Sequence, residues 1–407
     1  FATAAFAQSG TSGVNGTVTD ANGAVVPGAT ITLTSTTTGL SRSTVSNDSG
    51  RYAFSSIAPS TYKLEITASG FKKAVNNEIQ ALVDSPVEFN VVLETGDVSV
   101  VVDVTTGTIE SVINTTDATI GNNFVPEQIV NLPTDDRNLN NLLALQPGVT
   151  RDGYVAGGRS DQANITLDGV DINDQQTGGR SGGGDVEQTS ALRSTTESIQ
   201  EFRITTLGAN ANQGRSSGAQ VSLITRSGTN NFQGAAYYFY RPTAFSANRF
   251  FNNLAGIERP SLARNIYGGR FGGPIKKDKL FFFYAYEGKF QKQDASVERV
   301  VPLAHLGAGQ IRFTGTGPSC NASNQCSIGL AELNSIYSQA GINPAALATL
   351  SGAASRYPAN GTLGDGRNTG GFRFNSPTTD KDNTHIARFD YNPTSKHQLF
   401  FRGNYQS

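Results

Sequence analysis

The run KLFFFYAYEG at residues 279–288 places five aromatic rings within ten residues of a chain whose mean hydropathy is only −0.30. A transmembrane helix needs roughly 20 consecutive apolar residues, and no run in this chain approaches that length. A strand of a membrane barrel needs only about ten residues, in which outward and inward side chains alternate. The run therefore excludes a helical span but fits an extended strand that crosses a membrane.

The composition indicates folded domains without a nucleic-acid partner. The 407 residues are 37% hydrophobic, which provides core material for two or three domains. The 32 Lys and Arg residues are balanced by 33 Asp and Glu residues. The chain therefore lacks the basic excess that is typical of nucleic-acid-binding proteins.

The first ten residues, FATAAFAQSG, are typical of the end of a secretory signal peptide. Ala5, Phe6 and Ala7 form an A-x-A-like cleavage site, so Gln8 is the expected mature N-terminus, and residues 1–12 hold the signal remnant and the start of the mature chain. The sequence contains no Met, not even an initiator. We therefore expect a fragment whose true beginning is missing.

The two cysteines, Cys320 and Cys326, are separated by NASNQ and flanked by Gly, Ser and Asn. In an exported protein this pattern predicts a disulfide across an exposed loop. Two thiols without a neighbouring His cannot fill a tetrahedral zinc site, so we expect no metal and no cofactor. The chain has three His residues and neither an H-E-x-x-H nor a G-x-S-x-G motif, so we do not expect an enzyme.

Residues 13–95 predict a β-sandwich of about seven strands, because apolar-polar alternation recurs in short pieces bounded by turn residues. The clearest pieces are VNGTVTD, ATITLTST, RYAFSSI, TYKLEITA and VEFNVVLE. The pattern from Gly16 to Ile31 and the following DSGRYAFSSIAPSTYKLEITASGF resemble the carboxypeptidase regulatory-like domain. The positions that match this family are Gly50, Tyr52, Phe54, Tyr62 and Gly70. The resemblance implies a module without peptidase chemistry.

Residues 96–120 form a segment after the sandwich that contains the valine-rich run ETGDVSVVVDVTTG. One interpretation is a last sandwich strand or a linker. The other is a strand-forming peptide that docks on the sheet edge of a partner, where main-chain hydrogen bonds supply the affinity. The position of the segment alone does not decide between them.

Residues 121–228 predict a compact α+β domain. Helical spacing covers residues 126–130 and 137–145, and strands are expected at 165–167, 199–204 and 221–224. The blocks LPTDDRNLNNLLALQPGV, GGRSDQANITLDGV and VSLITRSGTN resemble the plug domain of TonB-dependent outer-membrane receptors. The order of domains resembles the Oar-like branch of that family, which carries a regulatory-like domain before the plug.

This resemblance implies roles for two groups of residues. The family's TonB box, which binds TonB of the inner-membrane energising complex, lies just before the plug. The corresponding positions are Asp97, Val98, Ser99, Val100, Val101, Val102, Asp103 and Val104. The plug motifs contain Arg137, Arg159, Asp168 and Gly169. Because buried charges are usually paired, we expect these charges to hold the plug against the barrel wall rather than to touch a substrate.

The acidic cluster DGVDIND at residues 168–174 could suggest calcium. It lacks the Gly at position six and the Glu at position twelve of an EF-hand loop, so a plain loop is predicted instead.

Residues 229–407 predict the first strands of a transmembrane antiparallel β-barrel. The expected strands are 232–241, 265–273, 280–290, 385–391 and 397–405. Links of about 20 and about 90 residues alternate with the tight turns PIKKDK and NPTSK, as outer-membrane barrels alternate long extracellular loops with short periplasmic turns. A soluble sandwich would also show alternating strands, but it does not predict this pattern of links.

Alternation within these strands predicts which side chains face the lumen. Arg388 and Asp390 lie opposite Phe389 and Tyr391, and polar residues are expected to face inward while apolar residues meet lipid. In residues 280–286 both rows are largely apolar. One row can meet lipid while the other packs against the plug, but the sequence does not say which.

These features predict a mainly β protein with an N-terminal seven-stranded β-sandwich, an α+β plug domain and the first strands of a transmembrane β-barrel. The expected function is energised uptake of an unknown small ligand across the bacterial outer membrane, with TonB and outer-membrane lipid as partners. The alternative is a secreted or surface-attached β-modular adhesin or scaffold, which would not fractionate with the outer membrane. An enzyme would need catalytic residues downstream of Ser407.

Overall fold

A computed structural model describes residues 10–97, 118–131, 145–150, 154–158, 162–173, 192–211, 213–214, 216–254, 256–336 and 343–407, together with Arg137, Leu142 and the backbone of residues 101–103; only the backbone is described at residue 251. The helices are α1 (Pro126–Asn131), α2 (Phe250–Leu254), α3 (Ala304–Gly307), α4 (Leu330–Ile336) and α5 (Pro344–Arg356). In this described part of the chain, no helix combines the length and apolarity needed to cross a membrane.

The strands fall into three groups. The sandwich contains β1 (Ser12–Asp20), β2 (Thr30–Ser35), β3 (Ser41–Val45), β4 (Arg51–Ile57), β5 (Ser60–Thr67), β6 (Lys73–Ala81), β7 (Val87–Glu88) and β8 (Val91–Leu93), and it is followed by β9 (Val101–Asp103). The plug sheet contains β10 (Ile120–Phe124), β11 (Asn164–Leu167), β12 (Val170–Asp171), β13 (Ile199–Leu207) and β14 (Gln220–Thr225). The remaining strands are β15 (Gln233–Pro242), β16 (Leu262–Lys276), β17 (Leu280–Pro302), β18 (Ile311–Thr314), β19 (Gln325–Ile328), β20 (Thr369–Thr394) and β21 (His397–Gln406).

The sandwich consists of two sheets, one in the order β4-β1-β7 with β8 also on β1, and one in the order β3-β2-β5-β6-β9. Alternate residues of β1, β2 and β5 are buried between the sheets, as the period of two predicts. The last predicted strand is interrupted at residues 89–90, which separates β7 from β8. The interruption arises because the Asn90 side-chain Oδ1 accepts the bond from Thr17 N at 2.8 Å.

Gly16 allows the backbone of β1 to lie very close to the backbone at Phe89. A Cβ at this position would lie 1.8 Å from the Phe89 carbonyl oxygen. The same oxygen accepts a hydrogen bond from Tyr52 Oη at 2.7 Å. The close packing of β1 against the β7–β8 break therefore requires glycine at position 16.

The plug sheet has the order β10-β13-β14-β11-β12. The predicted strands at 165–167, 199–204 and 221–224 are confirmed as β11, β13 and β14, and the helix at 126–130 is confirmed as α1. The helix predicted at 137–145 lies largely outside the described residues. A two-residue turn joins β11 to β12, with Asp168 at φ 49° and Gly169 at φ 80°. Positive φ at both positions is what a type I′ hairpin turn requires, and Asp-Gly is a preferred pair for it.

Five long strands form one sheet in the order β15-β16-β17-β20-β21, and we call them the long strands. All five predicted barrel strands are present, and the two tight turns lie within the predicted ranges but are shorter, at residues 277–279 and 395–396. The predicted lengths are wrong for β17 and β20, which extend far past residues 290 and 385, so the long link is shorter than predicted and covers residues 303–368. Backbone pairing continues where the apolar pattern stops, because a strand outside the lipid needs no apolar face.

The chain divides into two compact units. The first contains the sandwich, the plug sheet and the turn-proximal parts of the long strands. The second contains Phe239–Ile266 and Lys289–Lys381. In the second unit β18 and β19 form a hairpin, and the sulfurs of Cys320 and Cys326 are 1.99 Å apart, a bonded distance.

Candidate functional site

The plug sheet and the long strands have separate apolar cores. Among the described residues, one buried apolar cluster belongs to the sandwich, a second to the plug domain, and a small third to the long strands, where it contains Phe283, Ala285 and Ile386. No such cluster of the described residues joins the plug domain to the long strands. The described contacts between these two parts include two groups of charged side chains.

The first group surrounds Asp168, at the hairpin turn of the plug sheet. Its Oδ1 lies 3.2 Å from Arg388 Nη1, and its Oδ2 lies 3.1 Å from Arg402 Nε. The backbone N–H and hydroxyl of Thr225 also donate to this carboxylate, at 2.9 and 2.7 Å. The Asp168 side chain is only 5% exposed, so four donors compensate for the loss of its hydration.

The two arginines of this group repel each other in the absence of Asp168. Arg388 and Arg402 are direct cross-strand partners on β20 and β21, and like charges in that position destabilise a sheet. Asp168 lies between the two guanidinium groups, and Asp390 pairs with Arg388 at 2.8 Å. Strands β20 and β21 therefore carry a positive site that one carboxylate of the plug sheet fills.

The second group is built on two buried carboxylates, Glu197 of the plug domain and Glu287 of β17. Arg137 contacts both, with Nη2 3.7 Å from Glu197 Oε1 and Nε 3.5 Å from Glu287 Oε2. Arg270 Nε lies 2.9 Å from Glu197 Oε2, and Arg193 Nη2 lies 3.8 Å from Glu287 Oε1. Tyr237 Oη donates to Glu287 at 2.9 Å, and the Arg137 guanidinium lies over the Tyr237 ring. In this group, charged side chains of the plug domain therefore pair with side chains of opposite charge on the long strands.

The position of Glu287 also shows which row of the aromatic run faces inward. Phe281, Phe283 and Ala285 are 0, 4 and 1% exposed, and Glu287 follows them at the same period of two. Tyr284, in the other row, is 42% exposed. The row that begins at Phe281 therefore packs inward, and the row that contains Tyr284 is the outer, more exposed one.

The structure brings together some of the functional residues that were predicted from the sequence. Arg137, Asp168 and Gly169 lie at the contact between plug domain and long strands, whereas Arg159 lies outside the described residues. Of the TonB-box positions, Asp97 and the backbone of residues 101–103 are described, and residues 98–100 and 104 are not. In the described part of the chain, no group of three or more His, Cys, Asp or Glu side chains is arranged to hold a metal ion.

Sequence reasoning missed the acidic partners of this contact, Glu197 and Glu287. A signal for Glu287 was present, since it is a charged residue in phase with the apolar row that begins at Phe281. No comparable signal marks Glu197, because it lies in a short 3₁₀ turn, Thr196–Ser198, where side-chain period gives no direction.

The sandwich contacts the plug sheet through the turn at residues 82–85. Both oxygens of the Glu201 carboxylate accept from Val83 N at 2.9 Å, and Asn123 Nδ2 donates to the same carboxylate. Asp84 accepts from Ser222 Oγ of β14 at 2.8 Å.

The sandwich also reaches the tight-turn end of the long strands, where Arg42 Nη2 donates to Gln398 Oε1 at 3.1 Å. A cavity of about 310 Å³ lies at this end, bordered by Asp168, Arg388 and sandwich loops.

Glu201 makes this contact sensitive to pH. Burial raises the pKa of the Glu201 carboxyl to about 7, and Asp84 acts in the same direction, while the donors Asn123 and Val83 N–H and the Arg203 charge oppose the shift. The docked state thus binds the proton more tightly than a solvated glutamate does. The contribution of Glu201 to the stability of this contact is therefore fully present below pH 4.5 and is lost as the pH rises from about 4.5 to about 7.

We expect docking of the turn at residues 82–85 to weaken by at most about 3.5 kcal/mol across this pH range, since one pKa unit corresponds to about 1.4 kcal/mol. Amide exchange protection at Val83 and Asp84, corrected for the intrinsic effect of pH on exchange, measures this change. Glu201→Gln should keep protection nearly constant over the same range. Protection that rises with pH in the unmodified protein would contradict the assignment.

Comparison with known families gives two matches within the chain. Residues 13–94 match the carboxypeptidase regulatory-like domain, and residues 224–407 match an outer membrane beta-barrel domain. The TonB-dependent transporter Oar of Myxococcus xanthus is 28% identical over 307 residues, which cover 72% of this chain and 28% of that protein. The chain thus matches little more than a quarter of the length of this curated relative.

Two solved receptor structures also align with the chain. A ferric enterobactin receptor of Pseudomonas aeruginosa is 14% identical with a TM-score of 0.37, and the alignment covers 70% of this chain and 32% of that one. A siderophore receptor of Acinetobacter baumannii is 15% identical with a TM-score of 0.32, and the alignment covers 69% and 43% of the two chains.

The two family matches lie in the order of the sandwich and the long strands. Together with the relative, they point to a transporter family rather than to an enzyme family. The chain is similar to the TonB-dependent transporter Oar, and its match to an outer membrane beta-barrel domain indicates the bacterial outer membrane.

Proposed function

We propose that the protein takes up a ligand across the outer membrane by a TonB-driven rearrangement of its plug. The observation that carries this proposal is the charged contact between a plug domain and long strands whose apolar cores are separate. A plug that must move repeatedly needs its own core and a contact that can be opened. The plug sheet has both.

The energetics of the two kinds of contact support this view. Separating apolar surfaces costs about 25 cal/mol for each Å² exposed to water. Opening an intact set of ion pairs, in contrast, returns both charges to water, and their hydration offsets most of the lost attraction. The pairs of Asp168 with Arg388 and of Arg137 with Glu287 are therefore suited to hold the plug in one place and to let it leave.

The place of the TonB-box-like segment supports the direction of the pull. The segment follows the sandwich, and the sandwich contacts the tight-turn end of the long strands through Arg42 and Gln398. Tight turns lie on the periplasmic side in outer-membrane barrels. A partner anchored in the inner membrane would reach the segment from this side and transmit force to the edge strand β10 of the plug sheet.

Deletion of residues 97–104 from the full-length protein tests the proposal. We expect binding of the purified periplasmic domain of TonB to fall below detection, because its docking strand is gone. Ligands found by screening the intact receptor against iron chelates, cobalamin, saccharides and peptides should still bind, whereas their uptake by cells should stop. A deletion of equal length in the exposed loop at residues 357–364 is the control. Uptake that survives the deletion of residues 97–104 would refute the proposal.

A further inference from the structure

Arg388 and Arg402, which we call the arginine pair, are supported by neighbours on their own strands, β20 and β21. Asp390 Oδ1 accepts from Nη2 and Nε of Arg388 at 2.8 and 3.0 Å, and the guanidinium carbon of Arg388 lies 4.8 Å from the centre of the Phe400 ring. The two arginine side chains are only 13 and 11% exposed. The pair is therefore part of the long strands, and the plug domain supplies the carboxylate of Asp168 that lies between them.

Arg402 retains a donor that Asp168 does not use. Its Nε lies 3.1 Å from Asp168 Oδ2, whereas its Nη1 is buried and makes no hydrogen bond to any residue in the described part of the chain. A buried donor without an acceptor is costly. The guanidinium group is a fork that suits binding of a carboxylate through two nitrogens. Asp168 therefore fills the arginine pair incompletely, and a carboxylate that is not tied to the plug backbone can use the remaining donor.

The arginine pair borders the cavity of about 310 Å³ at the tight-turn end of the long strands. Asp168, Arg388 and Asp390 form its charged part, and hydroxyl groups also line it, among them those of Ser60 and Thr229. Pockets that bind small molecules begin at about 300 Å³. A small organic acid therefore has room beside Arg388.

We propose that the arginine pair is a carboxylate-binding site that Asp168 occupies at rest and a carboxylate of the transported ligand occupies while the plug is displaced. This inference rests on the proposed function and adds the chemical class of the ligand, an organic acid. With Asp168 seated, two carboxylates balance the two arginines. Displacement of the plug leaves the pair with Asp390 alone, and like charges directly opposite each other destabilise a sheet. An incoming carboxylate removes that repulsion.

Competition between Asp168 and the ligand also explains how the ligand leaves. Asp168 is part of the same chain, so it returns to the arginine pair at a high effective concentration when the plug reseats. In the seated position it also accepts from the N–H and the hydroxyl of Thr225, at 2.9 and 2.7 Å. A ligand bound to the pair of a displaced plug lacks these two donors. Return of the plug therefore releases the ligand from the pair.

Asp168→Gly in the full-length receptor tests the site by chemical rescue with acetate. Glycine tolerates the φ of 49° at position 168 and leaves space for the missing carboxylate. We expect β11 and β14 to lose hydrogen-exchange protection and acetate to restore it. By mass action, their exchange should slow about tenfold when acetate is present at about nine times its dissociation constant. Acetamide, which is neutral, and chloride should not restore protection at the same concentrations.

Three further variants show whether the arginine pair holds the acetate. Asp168→Asn also lacks the charge, but its amide fills the space, so acetate should not restore its protection. Adding Arg402→Gln to Asp168→Gly removes one guanidinium group and should weaken the binding of acetate about tenfold or more, the usual effect of losing a hydrogen bond to a charged group. Adding Arg299→Gln instead removes an exposed cation of β17 and should leave the rescue unchanged.

The unmodified receptor should respond to acetate in the opposite direction, because Asp168 and acetate compete for the arginine pair. Acetate binds the pair only while the plug is unseated, so it shifts the population toward that state. Exchange of β11 and β14 should therefore rise with acetate, about twofold at a concentration equal to the dissociation constant of the unseated state. Acetamide and chloride should not produce this rise. This measurement remains decisive if Asp168→Gly does not fold.

Three results would overturn the proposal. They are a failure of acetate to protect a folded Asp168→Gly variant, equal protection after Arg402→Gln is added, and exchange in the unmodified receptor that does not respond to acetate. None of these measurements uses TonB or uptake. The carboxylate site can therefore fail while the proposed function stands, and loss of the proposed function is read separately from the deletion of residues 97–104.

Discussion

Replacing Asp168 by Asn should lower the free energy that seats the plug against the long strands by about 3–5 kcal/mol, the usual effect of removing one partner of a buried ion pair. Asn keeps the size of the side chain and tolerates the positive φ of the turn, so the change removes the charge and one of the two acceptor oxygens. Arg388 and Arg402 would then face each other across β20 and β21 without the carboxylate between them. Hydrogen exchange of β11 and β14 in the full-length receptor measures the loss.

Two further variants isolate the electrostatic cause. Adding Arg402→Gln to Asp168→Asn removes one of the two repelling cations, so the double variant should be more stable than Asp168→Asn alone. Glu94→Gln, which breaks the exposed pair with Lys72, should change stability by less than about 1 kcal/mol. Plug protection that is the same in Asp168→Asn and in the unmodified protein would show that the charge does not seat the plug.

Phe202→Ala should destabilise the plug domain itself by about 3–5 kcal/mol, the range measured for buried Phe-to-Ala changes. Phe202 is 0% exposed and lies on β13, between β10 and β14, with its ring centroid 5.6 Å from that of Phe124. Truncation leaves a cavity that the strands β10 and β14 on either side cannot fill without breaking their pairing. The plug should therefore lose protection throughout its sheet.

Leu207→Ala is the matched control, because Leu207 ends the same strand but is 50% exposed. We expect its effect to stay within about 0.5 kcal/mol. The pattern of exchange separates the two main predictions. Asp168→Asn should release the plug as a folded unit, whereas Phe202→Ala should raise exchange inside β13. If Phe202→Ala left β13 as protected as before, the plug core would not be the cooperative unit described above.

Strand positions could be predicted from the sequence where local patterns carry the information. The tight turns within residues 274–279 and 392–396, the strands beside them and the helix at 126–130 all follow from turn residues and periodicity. Strand ends could not be predicted in β17 and β20, because the pattern of apolar residues reports the lipid and not the end of hydrogen bonding. The inward direction of the Phe281 row was open for a related reason, since both rows of the run are largely apolar.

The residues of the candidate site also divide into those that local patterns predicted and those that they did not. Arg137 and Asp168 were named because they lie in motifs, and Arg388 was assigned to the lumen by alternation. Their partners are remote in sequence: Asp168 meets residues 388 and 402, and Arg137 meets residue 287. No local period relates positions so far apart.

The sequence by itself determined the three β-rich parts, their order and the positions of most strands, because side-chain period and turn residues act over a few residues. Only the tertiary structure decided that two plug carboxylates, Asp168 and Glu197, meet arginines of the long strands and that residues 101–103 lie on β6. Charge pairing and strand docking depend on distances through space, and those distances are set by the packing of whole sheets.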